Sequence, residues 1–243
     1  MRILLPIVLL VAMDAPATAQ CREWSDQFRF AGVRQGRIEA QATFDDGSGS
    51  ELYLGGSFAG LANTDARKLA RFDGTRFEQV ADVTGDVLAL MTFDDGAGPA
   101  LYVAGNFTTI NGVAFSNLAR FDGTTWTDVG GGLDGLVRAI EVFDDGAGPA
   151  LFVGGTFSTA GGVAALNVAK WNGSSWSSLP GQFQGQFGHS TVYCLQAADD
   201  SLGSALFVGG SFVSVHGVVC NNVARWDGAS WSALDAGVND LGG

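Results

Sequence analysis

The chain has 243 residues, 47% of them hydrophobic, 16% charged and 36 glycine, a balance that suits short buried strands and tight turns and excludes a disordered chain. With 13 basic against 25 acidic side chains its net charge is −12, so phosphate backbones and anionic membrane surfaces would be repelled and nucleic acid is not expected as a partner. The length allows a sizeable core, burying on the order of 70% of the unfolded surface.

In chain order, the first element is a leader. Arg2 supplies a positive start, Ile3 to Met13 is almost unbroken apolar sequence, and Ala17-Thr18-Ala19 is a small-residue cleavage site. This reads as a signal peptide over residues 1–19, with the mature chain beginning at Gln20 and exported to a periplasmic or extracellular location. The apolar run is too short to span a bilayer, and no later segment reaches the roughly 20 apolar residues required, so no membrane association is expected of the mature chain. A lipid anchor at Cys21 is disfavoured because Gln20 stands where a small residue is needed.

From residue 37 onward the chain repeats itself. A strand end is followed 33 residues later by an aromatic in four copies: Phe44 to Phe77, Phe93 to Trp126, Phe143 to Trp176 and Ala198 to Trp231. In the second copy, Val87–Phe93 reads as a strand, Asp94–Pro99 as a turn and Leu101–Gly105 as a short buried strand. A third strand follows over Asn117–Phe121, and Asp122-Gly123 leads into a fourth at Trp126. Asp-Gly favours a tight hairpin with positive φ at both positions, and it recurs as Asp73-Gly74, Asn172-Gly173 and Asp227-Gly228. The connections between copies vary instead, with separations of 16, 17 and 22 residues. Units of four antiparallel strands, rigid inside and elastic at their joints, predict an all-β β-propeller with blades at about 37–80, 87–130, 137–180 and 191–235 in a domain covering 20–243. A β-sandwich would not explain a period of about 50 residues.

Leu151-Phe152-Val153-Gly154-Gly155 followed by Trp171 and Trp176 resembles the kelch-type β-propeller repeat. The form Phe-Asp-Asp-Gly-x-Gly-Pro-Ala-Leu is similar to repeats of secreted bacterial proteins of unassigned activity. The chain departs from the kelch pattern at Ala104, which replaces one glycine of the pair, and in a five-residue spacing of the two aromatics. Glu23-Trp24-Ser25-Asp26 looks like an orphan fourth strand. Because the last copy already has its own, the expectation is four complete blades plus this strand as part of a longer propeller, with a complete four-bladed ring as the other reading.

Paired acids at Asp45, Asp46, Asp94, Asp95, Asp144, Asp145, Asp199 and Asp200 are candidate calcium ligands. Calcium loops space their acids one residue apart, so an Asx-type turn without a cofactor is the preferred reading. A third-strand cation, Arg71, Arg120, Lys170 or Arg225, precedes Asp73, Asp122, Asn172 or Asp227 by two residues. Strand alternation therefore predicts structural ion pairs between blades. Phe77, Trp126, Trp171, Trp176, Trp226 and Trp231 are expected as structural aromatics.

His216 occupies a turn position shared with Asn63, Asn111 and Gly161. The enlarged connection Pro180–His189 holds the best ligand candidates, Phe183, Gln184, Gln186, Phe187 and His189, on an exposed glycine-rich loop. Cys194 and Cys220 lie toward one end of the fourth copy, two strand spacings apart, near 9.6 Å if ~4.8 Å is doubled, which disfavours a disulfide. Copper oxidase chemistry of the kind galactose oxidase performs on a kelch propeller needs converging Tyr and His ligands. Neighbouring Tyr193 and Cys194 and two scattered histidines do not supply them. The reading is a secreted, acidic, non-catalytic propeller binding a protein or polysaccharide through loops on one face. The alternative is an enzyme whose active residues lie in a missing C-terminal part.

Overall fold

The computed structural model describes residues 32–234 apart from positions 34 and 63. The leader, Cys21, the strand expected at Glu23–Asp26, Asn63 and position 235 lie outside these residues.

The first blade contains β1 (Ile38–Asp45), β2 (Ser50–Leu61), β3 (Thr64–Phe72) and β4 (Phe77–Gln79). The second contains β5 (Val83–Asp94), β6 (Pro99–Ile110), the short β7 (Val113–Ala114), β8 (Leu118–Phe121) and β9 (Trp126–Asp128). The third contains β10 (Leu136–Asp144), β11 (Pro149–Thr156), β12 (Thr159–Ala160), β13 (Val163–Ala164), β14 (Val168–Trp171) and β15 (Trp176–Ser178). The fourth begins with the small β16 (Phe183–Gln184) and continues through β17 (Thr191–Asp200), β18 (Gly203–Ser211), β19 (Ser214–Val215), β20 (Val218–Val219), β21 (Val223–Trp226) and β22 (Trp231–Ala233). Each main sheet is an antiparallel meander, β1-β2-β3-β4, β5-β6-β8-β9, β10-β11-β14-β15 and β17-β18-β21-β22, which is the propeller blade expected from the repeat.

First strands of successive blades pack side by side, β1 on β5, β5 on β10 and β10 on β17. Three apolar cores fill the junctions. Between blades 2 and 3, Phe93, Tyr102 and Leu118 meet Val137, Ile140, Leu151 and Trp171. Between blades 3 and 4, Phe143, Phe152 and Val168 meet Val192, Leu195, Leu206 and Trp226. The outer faces of the end blades differ: Phe207 and Leu52 are half-buried where their counterparts Phe152 and Leu101 are fully buried, and Gln41 stands exposed where Leu90, Ile140 and Leu195 are buried.

The glycine pair on the second strand has a specific cause. Every first strand carries a β-bulge, between Ile38 and Ala40, Val87 and Ala89, Val137 and Ala139, and Val192 and Cys194. A Cβ on the second glycine of each pair, Gly56, Gly105, Gly155 or Gly210, would collide with a backbone carbonyl oxygen at that bulge. At Gly55 and Gly154 the first glycine faces only side chains of the next blade, a Cβ on Gly154 sitting 2.6 Å from Cγ1 of Val192, and at Gly209 it faces only Sγ of Cys194 in its own blade. Alanine is accommodated at the first position, as Ala104, because a neighbouring side chain can yield where a backbone carbonyl cannot.

Candidate functional site

The repeated charges do not pair as alternation predicted. Arg71 meets Asp46 at 2.7 Å, Arg120 meets Asp95 at 3.6 Å, Lys170 meets Asp145 at 2.6 Å and Arg225 meets Asp200 at 2.7 Å. Each cation thus reaches the acidic turn of its own blade. Of the expected partners, Asp227 alone is an ion-pair neighbour, at 4.0 Å from Arg225. Asp73, Asp122, Asn172 and Asp227 sit where the chain leaves the third strand, and their side chains turn back to accept from the backbone: Asp122 takes the N–H of Thr124 at 2.9 Å and of Thr125 at 2.7 Å. The same arrangement recurs at Asp73, Asn172 and Asp227. These are four-residue loops between cross-strand aromatic pairs such as Phe121 and Trp126. Only the glycine has positive φ, so the two-residue hairpin expected from Asp-Gly is not formed.

In the first three blades the first acid of each turn is held by the turn itself. Asp45, Asp94 and Asp144 each accept two glycine N–H groups, for Asp144 those of Gly146 at 2.8 Å and Gly148 at 2.9 Å. Asp95 accepts from the Tyr102 hydroxyl at 2.6 Å and from Nε1 of Trp171, in the next blade, at 3.4 Å. Burial alone would raise its pKa, but the Tyr102 hydrogen bond, backbone N–H groups and Arg120 hold it below the ordinary carboxylate value. A hydroxyl bond from Ser48 likewise leads the lowering at Asp46, while burial pushes the Tyr53 phenol up. Gly123, Gly173 and Gly228 pack directly on the backbone of Asp46, Asp95 and Asp145, so each acidic turn touches the next blade although its charge pairs at home. Among the described residues no group of three or more His, Cys, Asp or Glu side chains is arranged to hold a metal.

At the opposite end of the blades a second motif recurs. The connection entering each blade pairs with the hairpin between its second and third strands: Val33 with Leu61, Val83 with Ile110, Leu133 with Ala160 and Phe183 with Val215. Val33, Val83, Leu133 and Phe183 are spaced at 50 residues. Phe183 is therefore not an exposed loop residue as predicted. It is 4% exposed and packs edge-on against Phe212 and Trp231. Gln184 belongs to β16, paired with Ser214. The insertion proper is confined to 185–189, where Gln186–Gly188 form a 3₁₀ turn and Phe187, with φ 61°, is 91% exposed. Its base is pinned by Asn167, whose amide donates to the carbonyls of Gly155 at 2.9 Å and Ser190 at 3.0 Å and whose oxygen accepts from the Ser190 hydroxyl at 2.6 Å.

Two clefts lie along this connection, and only the smaller is lined by residues of the insertion. One of about 560 Å³ is lined by Ser158, Leu166, Leu179, Pro180, Phe183 and Trp231. The other, of about 200 Å³, is lined by Thr156, Phe157, Asn167, Gly188, His189 and Ser190, and shares Ser158 and Leu166 with the first. His189 thus borders a cleft. His216 holds φ 49° at a hairpin tip, matching Asn111 at 50° and Gly161 at 55° at the equivalent positions of blades 2 and 3. Cys194 is an exposed and Cys220 a buried free thiol, so no disulfide joins them. Phe77 and Trp126 are half-buried, whereas Trp171, Trp176, Trp226 and Trp231 are buried.

One set of positions passes unnoticed in the sequence: the bulge residues Glu39, Leu88, Arg138 and Tyr193, each five before the strand-end position. The guanidinium of Arg138 lies over the Tyr193 ring, 5.4 Å from its centroid.

Blades, cores and repeated turns together define a β-propeller repeat protein. Residues 101–124 are similar to a family described as "Domain of unknown function (DUF5122) beta-propeller". Neither the curated proteins nor the solved structures hold a significant match.

Proposed function

We propose that the protein is a secreted, non-catalytic binding propeller that recognises a protein or polysaccharide through the connection face between blades 3 and 4. The repeat is read as kelch-type, in the Phe-Asp-Asp-Gly-x-Gly-Pro-Ala-Leu form of exported bacterial proteins. The observation that carries the binding reading is the five-residue insertion, which leaves the scaffold untouched, bares a phenylalanine at its tip and borders one cleft through Gly188 and His189. An almost fully exposed aromatic raised on left-handed backbone gains nothing for the fold, and aromatics of this kind anchor interfaces and glycan contacts. The non-catalytic reading is supported by the acidic turns of the first three blades, whose carboxylates are held by N–H groups and cations.

Glycan and protein arrays probed with the wild type, Phe187→Ala and a chain lacking residues 185–189 test this. The reading expects ligands retained by the wild type and lost by both variants. Ligands bound equally by all three would reject it.

A further inference from the structure

The bulges repeat four times at one register, and each is locked by a glycine that a larger residue cannot replace. Around them the repeat is uniform: Ile38, Val87, Val137 and Val192 precede the bulge residue, and Ala40, Ala89, Ala139 and Cys194 follow it. The bulge residues are Glu39, Leu88, Arg138 and Tyr193, an acid, an aliphatic, a base and an aromatic. A rigid frame that displays a chemically different side chain from each copy is how repeat scaffolds build a recognition surface, and bulges serve to re-aim side chains. They stand near the start of each first strand, the end at which connections enter, and so on the same face as Phe187.

Arg138 differs from the other cations of blades 2 to 4. Arg120, Lys170 and Arg225 are each ion-paired, whereas Arg138 is exposed and has the Tyr193 ring as its partner. Among the described residues the Arg138 guanidinium has no ion-pair or hydrogen-bond partner, so its N–H fork is free to match a carboxylate. The Tyr193 side chain is 53% exposed and offers a hydroxyl beside it. We propose that Arg138 and Tyr193 form a carboxylate-reading subsite, and that the ligand of this face is a uronic-acid-bearing polysaccharide. The inference rests on the binding reading above and names its substrate class. The sugar acid accepts from the Arg138 fork, and its neighbouring hydroxyl pairs with the Tyr193 phenol. Overall charge disfavours long polyanions, so the subsite reads a local acid and short oligomers are the suitable probe.

Calorimetric titration with trigalacturonate, its neutral methyl ester and a sulfated trisaccharide of like size tests the proposal. The wild type is expected to bind the acid about tenfold or more tightly than the ester. Arg138→Gln is expected to lose that preference, and Arg138→Lys to regain part of it because charge returns without the fork. Tyr193→Ala is expected to weaken binding, with melting curves showing that each exposed-site variant still folds. Equal binding of acid and ester, unchanged binding by Arg138→Gln, or equal preference for the sulfated sugar would overturn the carboxylate assignment. Array ligands that depend on Phe187 but not on Arg138 would overturn it while sparing the binding reading. Arrays without any Phe187-dependent ligand would remove both.

Discussion

The junction between blades 2 and 3 and that between blades 3 and 4 are the same construction, differing in one segment. In the first, Nε1 of Trp176 donates to the Val129 carbonyl at 2.9 Å and Leu133 bridges Ala160; in the second, Nε1 of Trp231 donates to the Pro180 carbonyl at 2.8 Å and Phe183 pairs with Val215. From there the first junction reaches its core valine, Val137, in four steps, and the second reaches Val192 in nine. The five extra residues fall between two fixed anchors, so the loop grows outward and the core stays closed. Length is tolerated where both ends are already held.

The comparison breaks most severely where an anchor is removed. Trp176→Ala is expected to lower unfolding free energy by about 3–5 kcal/mol in denaturant titration, and half-buried Trp126→Ala by about 1–3 kcal/mol. Equal losses at the two positions would deny that burial, rather than repeat position, sets the cost. Asp95→Ala removes the ion-pair partner of Arg120 and the acceptor of the Tyr102 hydroxyl and of Nε1 of Trp171. About 2–4 kcal/mol should be lost. A cost below that of a typical surface substitution would show that the acidic turns do not tie the blades together.

Two titrations sharpen the comparison between turns and core. Asp46 and Asp95 have folded pKa values below the ordinary one, and hydrogen bonds led by the Thr75 hydroxyl bring Asp73 down to about 2. A lowered acid contributes stability above its unfolded pKa of about 3.9 and loses it as pH falls through the folded value. The urea midpoint should therefore drop between about pH 4 and pH 2; a flat profile there would contradict the turn chemistry. Glu141 has the opposite sign, its pKa raised by burial, so its ionised form opposes folding at neutral pH. Glu141→Gln should raise the melting temperature slightly at pH 7 and lose that advantage in acid, where Glu141 is itself neutral.

Blade count, strand order and the elastic joints were legible because they depend on period and turn residues, which survive in a single sequence. The ion-pair partners were not. Alternation places Asp122 on the face of Arg120, but Asp122 ends its strand and caps its own turn, while the β5–β6 turn brings Asp95 alongside from 25 residues away. Phe183 was hidden by its glutamine-rich surroundings, although its 50-residue spacing from Leu133 marks it as a core position. The bulges leave no local signal at all, since the bulge residue follows no pattern and only the paired glycine betrays it.

The scaffold and the insertion proposed to bind are separable. The most direct measurement of that separation is a chain with residues 185–189 excised, which restores the spacing of the preceding junction, followed through melting and array binding together. The account predicts a melting temperature within about 2 °C of the parent, as for a change costing well under 1 kcal/mol, with array binding gone. Collapse of the fold, or full binding without the segment, would contradict it.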